Sequence, residues 1–235
     1  MLRYAIFDLD DTLYSAEAGV MRRITRLITR YMVERVGLTP EQTKELRPRY
    51  WQQYGTTLGG LMQEFGVDPG DYLPYVHNFP VEECLSMDPG LAQALQLLPL
   101  EKVIFTNASA AHARRVTAFL GIEDQFRHIF DIAFVDYVSK PDPESFRKVL
   151  RTLEVEGKQC MMIDDNPANL RAAAALGMIT VHIGPEHSNH GSDFALRSVS
   201  QIHDVVPELV ARGLLLPDPV AGEFAKGSDS SKKHD

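Results

Sequence analysis

The chain has 235 residues and a mass of 26.3 kDa, which is enough for one large domain or for a core domain with a smaller insertion. Its composition, 44% apolar and 24% charged, is typical of a folded globular protein and excludes a chain that is disordered throughout. The formal net charge of −8 argues against a nucleic acid polymer as partner, because such binders concentrate positive charge.

Five short apolar runs have the character of buried strands. They are residues 4–7, 102–105, 132–135, 161–163 and 179–183. Apolar runs without alternation are typical of strands covered on both faces, and helical patterns between them imply crossovers into a parallel sheet. We therefore predict an α/β core of the Rossmann-like kind, with a doubly wound five-stranded parallel sheet.

The first and second predicted strands are much further apart than one crossover helix requires. Helical patterns run through residues 24–31, 41–54 and 58–65. We expect residues 16–80 to form a helical cap domain inserted into a core domain made of residues 1–15 and 81–216. Residues 217–235 are small, polar and charged, and we expect them to be a flexible tail.

Three helices after the later strands carry capping signals. Ser109, Asp142 and Asn166 each offer a side chain that can accept from the first helical turn, and the last two precede a proline. Gly121 and Gly177 are expected to end the first and third of these helices.

Acidic and hydroxyl side chains follow the first predicted strand in the string DLDDT. Asp8, Asp10 and Thr12 lie on one side if the extended conformation continues, whereas Asp11 then points elsewhere. The ordinary alternative is that these carboxylates only cap a turn.

Polar side chains also follow three other predicted strands. They are Thr106 and Asn107 after the second, Lys140 shortly beyond the third, and Asp164 and Asp165 at the fourth. Singly, each is explained as a turn residue, a surface charge or a helix cap. Because the carboxyl ends of parallel strands share one edge, where such folds bind ligands, we expect them together in one crevice. Clustered carboxylates favour Mg²⁺ over zinc, and a lone lysine near helix N-termini suits a phosphoryl group, so phosphoryl transfer is indicated.

Other polar and sulfur side chains suggest less. His182, His187 and His190 allow a transition-metal site, but their spacing matches no common pattern, and loop histidines are the favoured interpretation. Cys84 and Cys160 cannot form a disulfide framework, and Cys160 stands in an apolar run that predicts burial. With no run near the roughly 18 apolar residues of a membrane span, we expect a cytoplasmic protein with no membrane partner.

Four strings resemble, in order and spacing, the four motifs of the haloacid-dehalogenase superfamily, in its phosphatase branch. They are DLDDT at 8–12, FTNAS at 105–109, SKPDPESF with Lys140, and MIDDNPANLRAAAALGM at 162–178. The resemblance implies a five-stranded parallel sheet with a helical cap inserted after the first motif.

The same resemblance implies a role for each matching residue. Asp8 would be the nucleophile that forms an aspartyl-phosphate, and Asp10 the acid and base, with its backbone carbonyl on Mg²⁺. Thr106, Asn107 and Lys140 would hold the phosphoryl group, Thr12 would support the site, and Asp8, Asp165 and Asp164 would complete the metal site.

The acid role makes a demand on the pKa of Asp10. A free Asp titrates near 3.9, too low for an acid at neutral pH. Crowded carboxylates and closure of the cap raise this pKa, while a metal and Lys140 lower it, so the residues leave the net pKa open.

The expected function is that of a Mg²⁺-dependent phosphomonoester hydrolase of a small phosphorylated metabolite. A phosphatase of phosphoglycolate or sugar phosphates and a phosphomutase remain open alternatives. A 2-haloacid dehalogenase fits less well, because such relatives lack an acid at the position of Asp10. A phospho-receiver module, which takes its acidic pair from the first strand, fits the motif order less well.

The expected cap contains the string RYWQQYGTTLGGLM at 49–62. Trp51 and Tyr54 are candidates for stacking on a flat ring, although both also suit a buried cap core, which is the favoured interpretation of Trp51 alone. FDLDDTLY and YGTTLGGLM resemble the pyrimidine 5′-nucleotidase branch of the superfamily. That resemblance implies nucleoside 5′-monophosphates as substrates, pyrimidine before purine.

Overall fold

A single parallel sheet organises the protein. The computed structural model describes residues 1–185 and 190–216, and the expected tail and His187 lie outside them. The strands are β1 (Tyr4–Phe7), β2 (Glu101–Phe105), β3 (His128–Phe130), β4 (Cys160–Asp164), β5 (Ile179–Ile183) and β6 (Phe194–Leu196), in the spatial order β3-β2-β1-β4-β5-β6. All neighbouring pairs are parallel, which confirms the predicted Rossmann-like α/β core.

Two details of the predicted sheet are wrong. The third strand is His128–Phe130, whereas residues 132–135 lie just beyond it in turns. Ile132 and Val135 are buried in the same apolar cluster as Phe130 of the strand, so apolar composition alone did not distinguish the strand from the turns that follow it. The sheet has six strands because the short β6 adds to β5 at the other edge.

Helices cover both faces of the sheet. The helices are α1 (Val20–Glu34), α2 (Pro40–Tyr54), α3 (Thr57–Phe65), α4 (Pro69–Val76), α5 (Pro89–Leu97), α6 (Ala110–Leu120), α7 (Pro143–Leu153), α8 (Pro167–Ala175) and α9 (Val206–Ala211). In β1, Ala5 and Phe7 face the core that contains α5, α6 and α9, while Tyr4 and Ile6 face the core that contains α7 and α8. The sheet is therefore doubly wound, with apolar residues on both faces of its central strand.

The capping predictions are confirmed. The side chains of Ser109, Asp142 and Asn166 accept from the first turns of α6, α7 and α8, respectively. Gly121 ends α6 with a φ of 68°, and Gly177, with a φ of 82°, follows the end of α8. These caps could be predicted from the sequence because a cap depends on residues that are close together in the chain.

Helices α1 to α4 lie between β1 and β2 and are called the inserted helices below. Three of them overlap the predicted helical patterns, while α4 was not predicted. In their core, the Tyr50 ring lies against Gly60, where an added Cβ would come within 2.1 Å of Tyr50 Cγ. Tyr31 and Tyr72 meet edge to face, with ring centroids 5.0 Å apart. Within the described ranges, no helix combines the length and the apolar character needed to cross a membrane.

Candidate active site

The first motif turns at the end of β1 instead of continuing the strand. β1 ends at Phe7, and residues 10–13 form a turn. Asp11 has a φ of 60° and lines the same cavity as Asp8 and Asp10. The prediction that Asp11 points elsewhere is wrong, because a residue in the left-handed region ends the alternation of an extended chain.

Lys140 lies between two carboxylates. Its Nζ donates to Asp8 Oδ1 at 2.8 Å and to Asp164 Oδ2 at 2.9 Å, and its side chain is only 1% exposed. Burial lowers the pKa of Lys140, but attraction to Asp164 and Asp8 outweighs burial and leaves that pKa raised. The ammonium group therefore stays charged.

Asn107 holds the backbone of the same lysine. Lys140 N donates to Asn107 Oδ1 at 2.9 Å, and Asn107 Nδ2 donates to Lys140 O at 3.1 Å. Thr106, 1% exposed, accepts from Ala108 N at 3.0 Å through Oγ1. That contact orients the Thr106 hydroxyl by its lone pair and leaves its proton free to donate.

The two carboxylates that follow β4 have different surroundings. Asp164 is fully buried and accepts from Lys140, from Asn166 N at 2.8 Å, and from Asn169 Nδ2 at 3.0 Å on each oxygen. Asp165 lies near Thr12, whose Oγ1 is 3.4 Å from Asp165 Oδ1 and accepts from Asp165 N at 3.0 Å. Asp165 therefore has more acceptor capacity left for a ligand than Asp164 does.

An acidic cluster at this edge of the sheet fits a divalent cation. One carboxylate oxygen each from Asp8, Asp164 and Asp165 lies within 4.8 Å of the others. Burial, followed by repulsion from Asp164, raises the pKa of Asp165 to about 7. Burial also raises the pKa of Asp8 well above its ordinary value, despite the opposing attraction of Lys140. Carboxylates that resist ionisation for these reasons are stabilised by a cation, and an all-oxygen donor set suits Mg²⁺.

Asp10 belongs to a network that sequence reasoning missed. His112 Nε2 lies 2.9 Å from Asp10 Oδ1, and the Tyr14 hydroxyl donates to the same oxygen. Burial raises the pKa of Asp10, but the charge and hydrogen bond of His112 and the hydrogen bond of Tyr14 together lower it below its ordinary value. The only sequence signals were a tyrosine four residues after Asp10 and a histidine three residues after the Ser109 cap.

His77 joins the inserted helices to this network. It follows the end of α4, and its ring stacks on His112 with centroids 4.4 Å apart and an angle of 14° between the planes. His77 Nδ1 is 3.2 Å from Ser109 Oγ, and Arg115 donates to His77 O at 2.5 Å. Burial lowers the pKa of His77 to about 3, so the ring is neutral near pH 7.

The cavity above the site has a volume of about 390 Å³ and two kinds of wall. The strand ends contribute Asp8, Asp10, Thr106, Asn107, Lys140 and Asp165. The inserted helices contribute Met21, Ile24, Thr25, Ile28, Arg47, Trp51, Leu58, Tyr72, Leu73 and Val76. Every residue predicted from the strand ends therefore lies in or beside one crevice, since Thr12 donates to Asp8 and Asp164 accepts from Lys140.

The aromatic candidates behave differently from what was expected. Trp51 lines the cavity and is 60% exposed, so the interpretation of Trp51 as cap core is wrong. Tyr54 is not among the residues that line the cavity, and it packs edge to face on Tyr50 with its hydroxyl 3.3 Å from Glu64. Gly55 is the residue of this string whose backbone comes close to Ser139, because a Cβ added at Gly55 would lie 2.4 Å from Ser139 Oγ.

His182 lies within β5, so its interpretation as a loop residue is wrong. It is 6% exposed, and its Nε2 is 3.1 Å from Asp165 O. His182 therefore supports the backbone of Asp165 from the neighbouring strand. Cys160 is buried as predicted, and Cys84 is half-buried.

The fold and the site define an α/β protein with a buried lysine and an acidic oxygen cluster at the carboxyl edge of its parallel sheet. The family model of the haloacid dehalogenase-like hydrolases matches residues 2–177. The chain belongs to that family, which confirms the resemblance of its four motifs and identifies it as a hydrolase.

Curated relatives are similar at moderate identity. Phosphate metabolism protein 8 of Saccharomyces cerevisiae is 28% identical over 189 residues, which cover 73% of this chain and 58% of that protein. Beta-phosphoglucomutase of Bacillus subtilis is 29% identical over 133 residues, which cover 56% of this chain and 57% of that protein. The chain thus spans less than two thirds of these two relatives. Phosphoglycolate phosphatase of Rhodospirillum rubrum is 25% identical, with 77% of this chain and 79% of that protein covered.

Solved structures share the fold. A HAD-hydrolase of Bacillus subtilis bound to magnesium has a TM-score of 0.61 at 18% identity, covering 88% of this chain and 99% of that one. A 2-haloacid dehalogenase of Pseudomonas syringae has a TM-score of 0.56 at 20% identity, covering 91% of this chain and 100% of that one. At these identities the similarity concerns the fold alone.

Proposed function

We propose that this hydrolase is a Mg²⁺-dependent phosphatase that cleaves phosphoric monoesters through a phosphorylated Asp8. The observation that carries the proposal is the position of Asp8, which lines the cavity, lies 2.8 Å from a buried ammonium group and shares an acidic oxygen cluster with two other carboxylates. A carboxylate attacks phosphorus without first losing a proton, but it needs positive charge beside it to approach an anionic substrate.

In the first step, an oxygen of Asp8 forms a bond to phosphorus and the ester bond to the leaving oxygen breaks. Asp10 is ionised in the free protein, because His112 and Tyr14 lower its pKa, and the negative charge of the bound ester raises that pKa so that Asp10 takes up a proton. Asp10 gives this proton to the leaving oxygen, so the alcohol leaves neutral and Asp10 becomes a carboxylate again. His112 and Tyr14 hold that carboxylate at the cavity wall. Lys140 and the Thr106 hydroxyl are placed to donate to the phosphoryl oxygens.

In the second step, water attacks the phosphorus of the phosphorylated Asp8. Asp10 takes a proton from that water, the bond between Asp8 and phosphorus breaks, and inorganic phosphate leaves. Both carboxyl groups return to their starting states, so the cycle consumes only ester and water. The two demands on Asp10 explain why a carboxylic acid with a movable proton is needed there.

Asp8, Asp165 and the backbone carbonyl of Asp10 are the groups we propose as ligands of Mg²⁺. When bound, Mg²⁺ supplies positive charge that offsets the charge of the substrate and of the clustered carboxylates. Both carboxylate oxygens of Asp164 already accept hydrogen bonds, from Lys140 and from residues that follow β4. We therefore assign Asp164 to positioning Lys140. This division agrees with the free acceptor capacity of Asp165.

We propose further that the inserted helices act as a cap that selects the leaving group, and that the substrates are nucleoside 5′-monophosphates. The cavity volume of about 390 Å³ falls in the range of small-molecule sites, which is about 300–1,000 Å³. Its outer wall is largely apolar and includes the exposed face of Trp51, which suits a flat ring better than a small polar acid.

The experiment is a panel of phosphate esters scored for released phosphate with Mg²⁺, with Ca²⁺ and with excess chelator. Of these three conditions, we expect turnover only with Mg²⁺, because Ca²⁺ prefers more ligands at longer bonds. The specificity constants to compare are those of uridine and cytidine 5′-monophosphates, phosphoglycolate and sugar phosphates.

The outcomes separate the parts of the proposal. Full activity in chelator would remove the metal assignment. A tenfold advantage of small phosphates that lack a base, equal to about 1.4 kcal/mol in transition-state binding, would refute the nucleotide assignment and leave the phosphatase intact. Transfer of phosphate to a second site of a sugar, without net release, would indicate a mutase.

A further inference from the structure

Arg47 is an uncompensated cation in the wall of the cavity. It lies on α2, and its guanidinium contacts two hydroxyls, with NH1 3.1 Å from Thr29 Oγ1 and NH2 3.5 Å from Thr25 Oγ1. Among the residues that the structure describes, no carboxylate lies within ion-pair distance of it, and its buried Nε has no hydrogen-bond partner. A partly buried charge with weak partners is costly unless a ligand completes its hydrogen bonds.

The surroundings of Arg47 favour a neutral acceptor over a second anion. The cavity wall already holds the carboxylates of Asp8, Asp10, Asp11 and Asp165 against two full cations, Lys140 and Arg47 itself. Lys140 donates to Asp8 and Asp164, and its third N–H is the one left for the phosphoryl group. The Mg²⁺ proposed above, together with these two cations, balances the four carboxylates, so a phosphate dianion already leaves the cavity negative. A second anionic group on the substrate would therefore add repulsion that one guanidinium does not offset.

The shape of the wall favours a ring that carries the acceptor. The side chains of Ile24, Ile28 and Leu73 give the same wall an apolar surface, and Trp51, one helical turn beyond Arg47, exposes 60% of its area. An aromatic face and a guanidinium four residues apart lie on the same side of a helix. Together they match a flat ring with a carbonyl oxygen on its edge.

We propose that Arg47 is the specificity-determining residue of the cavity, and that it donates to a ring carbonyl of the leaving group, as in a pyrimidine nucleoside, while Trp51 covers the ring face. The proposal rests on the phosphatase function proposed above. It assigns a binding subsite that is separate from the residues that hold the phosphoryl group.

The test compares Arg47→Met and Arg47→Lys with the wild-type protein on four substrates. Uridine 5′-monophosphate has the ring carbonyls, adenosine 5′-monophosphate has a ring without one, ribose 5-phosphate has no base, and phosphoglycolate has a second anionic group. Arg49→Met is the matched control, because Arg49 is two residues away on the same helix and pairs with Glu64 outside the cavity. Thermal melting of each variant monitors folding.

We expect Arg47→Met to reduce the ratio of kcat/KM for uridine 5′-monophosphate over ribose 5-phosphate at least tenfold. The corresponding ratio for adenosine 5′-monophosphate should change less than threefold. Arg47→Lys should lie between wild type and Arg47→Met, because one ammonium group cannot reproduce the planar fork of a guanidinium. Arg49→Met should leave all ratios at the wild-type level.

Three results would overturn the subsite. The first is an equal loss on uridine 5′-monophosphate and ribose 5-phosphate, which would mean a structural role. The second is a loss confined to phosphoglycolate, which would mean an anion site. The third is a wild-type protein that turns over ribose 5-phosphate as well as the nucleotides. Absence of phosphate release from all four substrates in the wild-type protein would instead refute the phosphatase function itself.

Discussion

Lys140→Met removes the one ammonium group that joins Asp8 to Asp164. Both ion pairs are short, at 2.8 Å and 2.9 Å, and the Asp164 side chain is 0% exposed. Removing one partner of a buried pair costs about 3–5 kcal/mol, because the other charge stays buried without its partner. In a chain of 235 residues this corresponds to a fall in Tm of about 6–20 °C.

The lower part of that range is expected, because Asp164 keeps its hydrogen bonds from Asn169 and from Asn166 N. The matched control is Lys158→Met, which breaks an ion pair with Glu156 between side chains that are 74% and 70% exposed. Such a surface pair is worth about 1 kcal/mol or less, so its Tm should fall by only a few degrees.

The assay is thermal melting of the wild type and both variants in chelator and in saturating Mg²⁺. Because the cation and the ammonium group neutralise the same carboxylates, Mg²⁺ should raise the Tm of Lys140→Met more than that of the wild type. Turnover of phosphate esters should be lost in Lys140→Met under both conditions. A Tm deficit that is the same with and without Mg²⁺, or no deficit in chelator, would refute the reasoning that Lys140 and the cation share one electrostatic role.

Three further predictions concern the nucleophile, the acid and pH. Asp8→Asn should abolish turnover with a smaller change in Tm than Lys140→Met, because Lys140 keeps Asp164 and the loss of one crowded carboxylate relieves repulsion; loss of covalent labelling by phosphate in rapid-quench experiments checks it. His112→Leu should slow alkyl phosphates more than p-nitrophenyl phosphate, since nitrophenolate leaves without a proton from Asp10, and His112→Gln, which keeps an N–H donor, should recover part of the rate. Burial lowers the pKa of His77 to about 3 from an ordinary value near 6.5, so the unfolded state binds the proton first as pH falls. Stability is then full above pH 6.5 and falls by up to about 1.4 kcal/mol per pH unit below it, and Tm at pH 7.5 and 5.5 should show a smaller loss in His77→Asn than in the wild type.

The sequence was sufficient to predict two kinds of feature: those set by residues close together in the chain, and those that follow from the topology of a parallel sheet. The caps at Ser109, Asp142 and Asn166 depend on residues within one turn, so they could be predicted directly. The crevice could be predicted because parallel strands deliver their ends to one edge, whatever the details of each turn. Although the third strand was predicted at the wrong residues, Lys140 still lies in the predicted crevice.

Other features depend on tertiary packing and could not be predicted. β6 has three residues at the sheet edge, too few for a periodic pattern, and α4 contains two prolines that conceal its helical pattern. The pKa of Asp10 is lowered by His112, which is more than a hundred residues away in the chain. Only the position of α6 beside the first motif brings that histidine to the acid.

Arg47 and Arg49 show why selectivity is harder to infer than chemistry. Both belong to the string LRPRYW, and nothing in its composition distinguishes them. Two residues along an α-helix are rotated by about 200°, so one guanidinium faces the cavity while the other faces Glu64. The residues that we propose for the reaction lie at strand ends, and the fold brings these together. The position of Arg47, which we propose to determine specificity, depends instead on the rotation of one inserted helix about its axis. A family motif therefore transfers the reaction more reliably than it transfers the substrate.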